Sequence, residues 1–305
     1  MDQRELVKKI KELKEKRDAV ILAHNYQRNE IQDIADYLGD SLGLSIKASK
    51  TDKDVIVFCG VYFMAETAAI LAPDKIVLIP EDEAGCPMAD MIKEKQLKKW
   101  KNEHPGIKVV CYVNSTADVK AGCDICCTSS NAVEVVDSLE EKTVLFAPDR
   151  NLASYVAHQS SKKIIPWEGY CYVHEEIKPK EILKLKESYP ESEVWVHPEC
   201  RPEVTKLADG VFSTGKMVRE AQRTNKKDII IGTETGIIYR LKKENPEKNF
   251  IPIRKQSVCR DMKKITLEKV YLSLKNMEQK VVVPDEVREK AKEAIERMIH
   301  ISTFD

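Results

Sequence analysis

The sequence lacks an excess of charge of either sign and lacks long apolar runs. Its 305 residues include 50 acidic and 50 basic side chains, so the formal net charge is zero. Because nucleic acids and anionic membranes attract proteins through basic surfaces, this balance argues against either as the main partner. The longest apolar run, VIVFCGVYFMA, stops at Glu66 and falls short of the roughly 18 residues of a membrane span. Small anionic ligands stay open, because local charges and helix dipoles suffice to bind them.

A secretion signal and a Gly/Ser-rich linker are also missing. The opening residues, MDQRELVKKIKELKEKRDAV, predict a charged amphipathic helix without the apolar core of a signal peptide. We therefore expect a cytoplasmic protein whose nine cysteines are reduced thiols. The length exceeds that of one ordinary domain and allows a large core.

The sequence contains an internal repeat of three copies of one unit. The copies begin AVILAHNYQ, VVCYVNSTA and EVWVHPECR, and each continues through two more short apolar strands separated by helical patterns. Corresponding landmarks lie 85 to 89 residues apart. Continuous Val/Ile/Leu strands alternating with helices indicate parallel sheets covered on both faces. The pattern predicts an α/β fold of three homologous α/β/α sandwich domains around a pseudo-threefold axis; the alternative is one larger doubly wound sheet. The expected domains are residues 1–87 with 266–305, 88–172 and 173–265.

Ligands of open α/β sheets bind beyond the carboxyl ends of the strands, so the residues after each first strand are the candidates for a site. His24, Tyr112 and His197 are equivalent there, as are Tyr26, Asn114 and Glu199. Seventeen residues after His24, Tyr112 and His197, each copy has a hydroxyl side chain that opens a predicted helix. These side chains are Ser41, Ser129 and Thr214. Such helix starts hold anions well, although any one of them alone reads as an ordinary cap.

One cysteine follows the third strand of each copy, at 86, 171 and 259. Three thiols that converge on an axis suit an iron–sulfur cluster in which one iron has no protein ligand and can act as a Lewis acid; otherwise they are scattered buried cysteines. The segment CDICC, Cys123 to Cys127, has metal-ligand spacing too. It has no second pair nearby to complete a zinc site, and we interpret Cys123, Cys126 and Cys127 as packing residues.

Strings along the whole chain resemble the quinolinate synthase family. They include LAHNYQ, IQDIADYLGDSL, FMAETAAIL, YVNSTA, TSSNAVEVV, CYVH, HPEC, STGKM and MKKITLEKVYLSL. The resemblance implies an enzyme of NAD biosynthesis that condenses iminoaspartate with dihydroxyacetone phosphate and releases phosphate, two waters and quinolinate. It also implies a [4Fe-4S] cluster held by Cys86, Cys171 and Cys259. A transient contact with the oxidase that produces iminoaspartate is a further expectation.

The same resemblance assigns substrate contacts to ten residues, of which the repeat had already selected all but one, His174. They are His24, Tyr26, Ser41, Tyr112, Asn114, Ser129, His174, His197, Glu199 and Thr214. Among these we expect Tyr26, Glu199 and His197 to be catalytic, with Glu199 as general acid or base.

Three other classes of protein share part of this sequence pattern and are alternative interpretations. A diphthamide-type radical enzyme and the reductase that ends the methylerythritol phosphate pathway also combine three domains with three cluster cysteines. A structural zinc protein or an iron or oxygen sensor would be a non-enzyme alternative, although a sensor usually carries a basic DNA-binding element that this sequence lacks.

Overall fold

The computed structural model describes residues 2–302 and contains three separate parallel sheets of four strands. The strands are β1 Ala19–His24, β2 Tyr37–Gly39, β3 Val55–Cys59, β4 Ile76–Leu78, β5 Lys108–Tyr112, β6 Ile125–Cys127, β7 Thr143–Ala147, β8 Lys163–Pro166, β9 Glu193–Val196, β10 Gly210–Val211, β11 Asp228–Gly232 and β12 Asn249–Pro252. Each sheet has the same order, in which the second strand flanks the first, followed by the third and fourth. The prediction of three α/β units is confirmed, and the single larger sheet is not what these residues form.

Helices connect and cover the strands. They are α1 Gln3–Lys16, α2 Asn29–Ile34, α3 Ser41–Lys50, α4 Tyr62–Leu71, α5 Glu94–Glu103, α6 Ala117–Ala121, α7 Ala132–Ser138, α8 Arg150–Gln159, α9 Tyr172–Glu175, α10 Pro179–Ser188, α11 Pro202–Thr205, α12 Thr214–Arg223, α13 Ile237–Glu244, α14 Leu267–Asn276 and α15 Asp285–Ser302. Short 3₁₀ turns span Ala89–Met91 and Met262–Lys264. Within residues 2–302, none of these helices has both the length and the apolarity needed to cross a bilayer.

The first strand of each unit is central in its sheet and buried along nearly its whole length, as expected for a parallel sheet with helices on both faces. β1, for example, is buried at all six positions. The last two helices reach different units: α14 packs against α1, whereas α15 packs against α6 and β6. The core of the first sheet therefore continues into that of the second.

An aspartate makes the same backbone hydrogen bonds to the first strand of its sheet in every unit. Its carboxylate accepts the backbone N–H of the central strand, at 2.8 to 2.9 Å, while its own N–H donates to the carbonyl of that residue. The pairs are Asp36 with Ile21, Asp124 with Val109 and Asp209 with Val194. Each aspartate also has a lysine partner. The three units thus repeat individual hydrogen bonds as well as strand order.

Candidate functional site

A cavity of about 80 Å³ is lined by residues that follow the carboxyl ends of strands in all three sheets. Its lining includes every side chain for which the sequence predicts a binding, catalytic or metal role: His24, Tyr26, Ser41, Cys86, Tyr112, Asn114, Ser129, Cys171, His174, His197, Glu199, Thr214 and Cys259. These residues come from all three units. Parallel strands direct their carboxyl ends to one edge of each sheet, which explains why residues so distant in sequence share one cavity.

The two equivalent histidines, His24 and His197, are held in the same way. Nδ1 of His24 accepts the backbone N–H of Tyr26 at 3.2 Å, and Nδ1 of His197 accepts that of Glu199 at 3.3 Å. This bond leaves Nε2 as the N–H donor of each ring. Burial lowers the pKa of His24 to about 4 and that of His197 to about 3, so both rings are neutral donors at neutral pH.

A chain of hydrogen bonds and one ion-pair contact joins five side chains across the cavity. Tyr26 Oη lies 2.5 Å from Thr233 Oγ1, which lies 2.8 Å from His174 Nε2. On the other side of that ring, Nδ1 is 2.7 Å from Glu199 Oε2, without the geometry of a hydrogen bond. Tyr112 Oη then donates to Glu199 Oε1 at 2.5 Å. The arrangement connects the phenols of Tyr26 and Tyr112 through Thr233, His174 and Glu199.

Protonation along this chain is set by burial and by the histidines. Burial raises the pKa of Tyr26 and of Tyr112 well above the usual value, so both phenols stay protonated. Burial also opposes the charged form of Glu199, but the adjacent His174 ring and the phenol of Tyr112, which donates to the carboxylate, outweigh that effect and hold its pKa below the ordinary range. Within this chain of contacts, Glu199 is therefore the carboxylate acceptor and the two tyrosines keep their phenolic protons.

Two of the three predicted helix starts lie where the sequence indicated. Ser41 and Thr214 are the first residues of α3 and α12, after the caps Asp40 and Ser213. The predicted start at Ser129 is wrong, because the Asn131 side chain accepts both the N–H and the hydroxyl of Thr128 and folds residues 128–131 into a turn, so α7 begins at Ala132.

The groups in the cavity that could bind an anion are helix N-termini and uncharged hydrogen-bond donors. Among the described residues its lining has no lysine or arginine, while Asp40, Glu199 and Glu234 contribute carboxylates. Asn114 Oδ1 is buried and has no hydrogen-bond partner within residues 2–302. Any anionic ligand would therefore be held by N–H and O–H groups, by helix dipoles and by whatever cation the site contains.

Cys86, Cys171 and Cys259, in the loops after β4, β8 and β12, share one local geometry. Each half-buried sulfur faces the backbone N–H three residues later, that of Ala89, His174 or Met262, and this contact favours the thiolate. The three sulfurs also lie close enough for their charges to interact. Burial nevertheless raises the pKa of all three thiols, that of Cys259 to about 11. Free thiols there are protonated, and a metal would have to displace the protons.

A second donor set shares one of these cysteines. Ligand atoms of Cys171, His174 and Glu199 lie within 4.8 Å of one another, close enough for a single metal ion. His174 and Glu199, however, already contact each other and the neighbouring hydroxyls of Thr233 and Tyr112. The three cysteines, each with its own N–H donor, fit a shared metal group better.

Comparison with known proteins decides the family. The model of the family described as Quinolinate synthetase A protein matches residues 8–300. A quinolinate synthase of Dehalococcoides mccartyi (strain CBDB1) is 61% identical over 299 residues, covering 98% of this chain and 99% of the relative. The quinolinate synthase of Methanosarcina barkeri is 54% identical over 301 residues, covering 99% of each chain. That of Thermodesulfovibrio yellowstonii is 53% identical over 294 residues, or 96% of this chain and 97% of the relative.

The chain belongs to the quinolinate synthetase A family. The sequence-based assignment to this family is thereby confirmed, and with it the assignment to an enzyme family of NAD biosynthesis.

The CDICC segment of this family member lies away from the cavity. Cys126 and Cys127 are fully buried in β6, and Cys126 is the strand partner of Cys111. The Cys111 sulfur interacts with those of Cys123 and Cys126, while Cys123 Sγ donates to the Val119 carbonyl at 3.1 Å. The thiols thus form part of the packing of the second sheet with its helices.

Three polar side chains near the site were missed by the sequence reasoning. Thr233 and Glu234 follow β11, the third strand of the third unit, whereas the sequence prediction concentrated on the ends of the first strands. The positions equivalent to Thr233 are Gly60 and Pro148, so no repeated hydroxyl marks them. Asp40, just before Ser41, is a third omission; its Oδ2 accepts the Ser130 hydroxyl at 2.7 Å.

Proposed function

We propose that this chain is a quinolinate synthase that condenses iminoaspartate with dihydroxyacetone phosphate, releasing inorganic phosphate and two waters to give quinolinate. The observation that carries the proposal is the single cavity lined by all thirteen side chains selected from the sequence. Family membership supplies the reaction class.

We also propose that the three units are related by a pseudo-threefold axis through this cavity. Support comes from the identical strand order and from the hydrogen bonds repeated in each unit. The proposed domains are residues 1–87 with 266–305, 88–172 and 173–265. In this division α14 accompanies the first unit, and α15, although assigned to it, contacts α6 and β6 of the second.

Cys86, Cys171 and Cys259 would hold a [4Fe-4S] cluster. The half-buried sulfurs, their mutual proximity and their three N–H donors fit such a group, whose thiolate ligands are commonly hydrogen-bonded. When bound, its iron without a protein ligand would supply a Lewis acid for a substrate hydroxyl or carboxylate.

The substrates carry two carboxylates and one phosphate, and the chain would hold them with neutral donors. Ser41 and Thr214 offer hydroxyls and free N–H groups at the starts of α3 and α12, and Ser129 adds a hydroxyl from the neighbouring turn. With a dicarboxylate bound, we expect at least two of these hydroxyls within hydrogen-bond distance of its oxygens. A liganded structure with all three more than about 6 Å from any ligand oxygen would contradict this assignment.

His24, Tyr112 and Asn114 would orient the substrate carboxylates. Both histidine rings present N–H donors, and the NH2 group of the Asn114 amide could donate to a carboxylate. Tyr112 keeps its phenolic proton, which would have to turn from Glu199 to the substrate. His197 would help to hold the His174 ring beside Glu199, since the two imidazole rings stack at 4.7 Å between centroids.

Proton transfers would use the two ends of the hydrogen-bonded chain. Glu199 is a carboxylate at neutral pH and so is suited to accept a proton from the substrate. Tyr26 is a protonated phenol, suited to donate a proton to the triose carbonyl or to a departing hydroxyl. Thr233 and His174 connect them, and protons could return along that chain between the elimination steps.

The decisive experiment is anaerobic reconstitution of the full chain with iron and sulfide, followed by an assay for quinolinate from the two substrates. We expect product from the wild type and from a Cys127→Ala variant, whose cysteine lies outside the cavity, and none from Cys171→Ala. An intact cluster without any quinolinate would overturn the proposed function and favour the radical enzyme or the reductase.

A further inference from the structure

The loops that carry the three cysteines are tied to the sheets by the same backbone bond. The third residue after β3, β7 or β11 donates its backbone N–H to a carbonyl in the cysteine loop of the same unit. The accepting carbonyl belongs to the residue two positions before the cysteine. The bonds are Tyr62 to Ala84 at 2.7 Å, Arg150 to Gly169 at 2.9 Å and Thr235 to Ser257 at 2.9 Å. Because all three units have this tie, it gives each loop the same backbone support.

The residue just before each of these donors breaks the symmetry. It is Val61 in the first unit, Asp149 in the second and Glu234 in the third, spaced like the cysteines by one repeat. Asp149 and Glu234 are both completely buried. The second and third units therefore place a carboxylate where the first has an apolar side chain.

Both carboxylates face the backbone N–H of the cysteine in their own unit. Glu234 Oε1 accepts the N–H of Cys259 at 3.1 Å. Asp149 interacts with the N–H of Cys171, and its Oδ1 accepts the N–H groups of Asn151 and Leu152 at 2.8 Å. Oδ2 of Asp149 has no hydrogen bond of normal geometry to any described residue.

Glu234 is held rigidly on its other side. Its Oε2 accepts the Gly236 N–H at 2.6 Å, and Lys263 lies 3.0 Å from Oε1 while also donating to the carbonyl of Tyr26. A Cβ at Gly236 would lie 2.6 to 2.7 Å from that carbonyl, from Glu234 and from Lys263, so this junction requires glycine. The Cys259 loop and the Tyr26 backbone are thus fixed by one carboxylate and one ammonium group.

We propose that Asp149 and Glu234 are positioning residues for the iron–sulfur cluster, holding the Cys171 and Cys259 loops through the backbone N–H groups of these two cysteines. This inference rests on the proposed function, since it presumes that the three cysteines bind the cluster. Groups behind metal ligands fix their orientation and tune the metal, and buried charge and hydrogen bonding set cluster potentials. In the first unit the equivalent position is the apolar Val61, which lies with Phe63 and Met88 in the same cavity wall as Cys86.

The test compares Asp149→Asn and Glu234→Gln with Asp209→Asn after anaerobic reconstitution. The first two keep the side-chain size and replace one carboxyl oxygen by an NH2 group, which cannot accept a backbone N–H. Asp209 is a matched control, because its carboxylate also accepts a backbone N–H but at the opposite end of the third sheet. Two quantities are measured on each folded protein: the rate of iron loss to a chelator, and the reduction potential of the cluster by anaerobic titration with electron paramagnetic resonance detection.

We expect Asp149→Asn and Glu234→Gln to lose iron at least about tenfold faster than wild type, on the scale by which partners behind metal ligands change affinity. Both should also change the reduction potential, because the hydrogen bonding around two of the three thiolates changes, and Asp209→Asn should match wild type. Wild-type potential and iron loss in both variants, or equal changes in Asp209→Asn, would refute the inference. If Glu234→Gln does not fold, Asp149→Asn, in another unit, still decides. A wild-type protein that takes up no cluster would instead refute the cofactor assignment of the proposed function.

Discussion

Replacing Thr233 by valine removes one hydroxyl from the middle of the hydrogen-bonded chain and changes the side-chain volume little. Tyr26 Oη and His174 Nε2 both lose the partner that they have at 2.5 and 2.8 Å. Because Thr233 is 1% exposed, solvent does not reach its site freely. Each buried polar group left without a partner costs about 1–3 kcal/mol of folding free energy.

The effect on catalysis should be larger than this stability loss suggests. If protons return from Glu199 to Tyr26 through Thr233 and His174, valine interrupts the path. We expect turnover to fall about 100-fold, which corresponds to about 2.7 kcal/mol of transition-state free energy, while KM and the iron content change little. The assay is steady-state quinolinate formation by reconstituted protein, normalised to iron and sulfide.

Two comparisons make this prediction specific. Thr67→Val is the control, since Thr67 is also buried but donates to the Phe63 carbonyl within α4, and it should lose stability without a comparable loss of turnover. In the double variant with Tyr26→Phe, the loss should be no greater than for Tyr26→Phe alone, because both changes interrupt one path. Fully multiplicative losses would refute the relay, as would near-normal turnover of Thr233→Val.

Other side chains give further contrasts. Glu199→Gln should keep the fold and the cluster but reduce turnover about 100-fold, since an amide cannot accept the proton; near-normal turnover in the steady-state assay would remove Glu199 from catalysis. His24 and His197 are neutral in the folded protein, with pKa values of about 4 and 3 against roughly 6.5 when unfolded. Their contribution to stability is therefore complete above pH 6.5 and declines as the pH falls, by roughly 2–3 kcal/mol each at pH 4.5. Urea unfolding of wild type and His24→Asn measures this, and equal pH slopes would contradict it. Cys126→Ala and Cys127→Ala should retain iron and sulfide at a modest cost in stability, whereas Cys86→Ala, Cys171→Ala and Cys259→Ala should each lose them; the reverse pattern would refute the cluster assignment.

The repeat made much of this site predictable. The three α/β units and the position of the cavity follow from periodic apolar segments, because parallel strands must end at the same edge of a sheet. The constant spacing then makes His24 equivalent to His197, and their identical bonds from Nδ1 to the N–H two residues later bear this equivalence out.

What the sequence did not reveal lies where the copies differ or where contacts are long-range. Thr233 has glycine and proline at the equivalent positions, so periodicity carries no signal for its hydroxyl. The start of α7 depends on how the Asn131 side chain folds over Thr128, a competition between local hydrogen bonds that spacing cannot decide. The contact of Cys111 with Cys126 depends on strand register, which sequence alone does not fix.

The asymmetry at positions 61, 149 and 234 also explains why three similar units are joined in one polypeptide. A ring of three identical chains could supply three thiols with identical backbone ties, but it would repeat every other side chain three times as well. Such a ring would have either three carboxylates behind its cysteines or none, and it could not present Tyr26 to one reactant and Glu199 to another. Covalent linkage lets each copy mutate separately, so that a nearly symmetric scaffold can hold two chemically different substrates in one defined orientation.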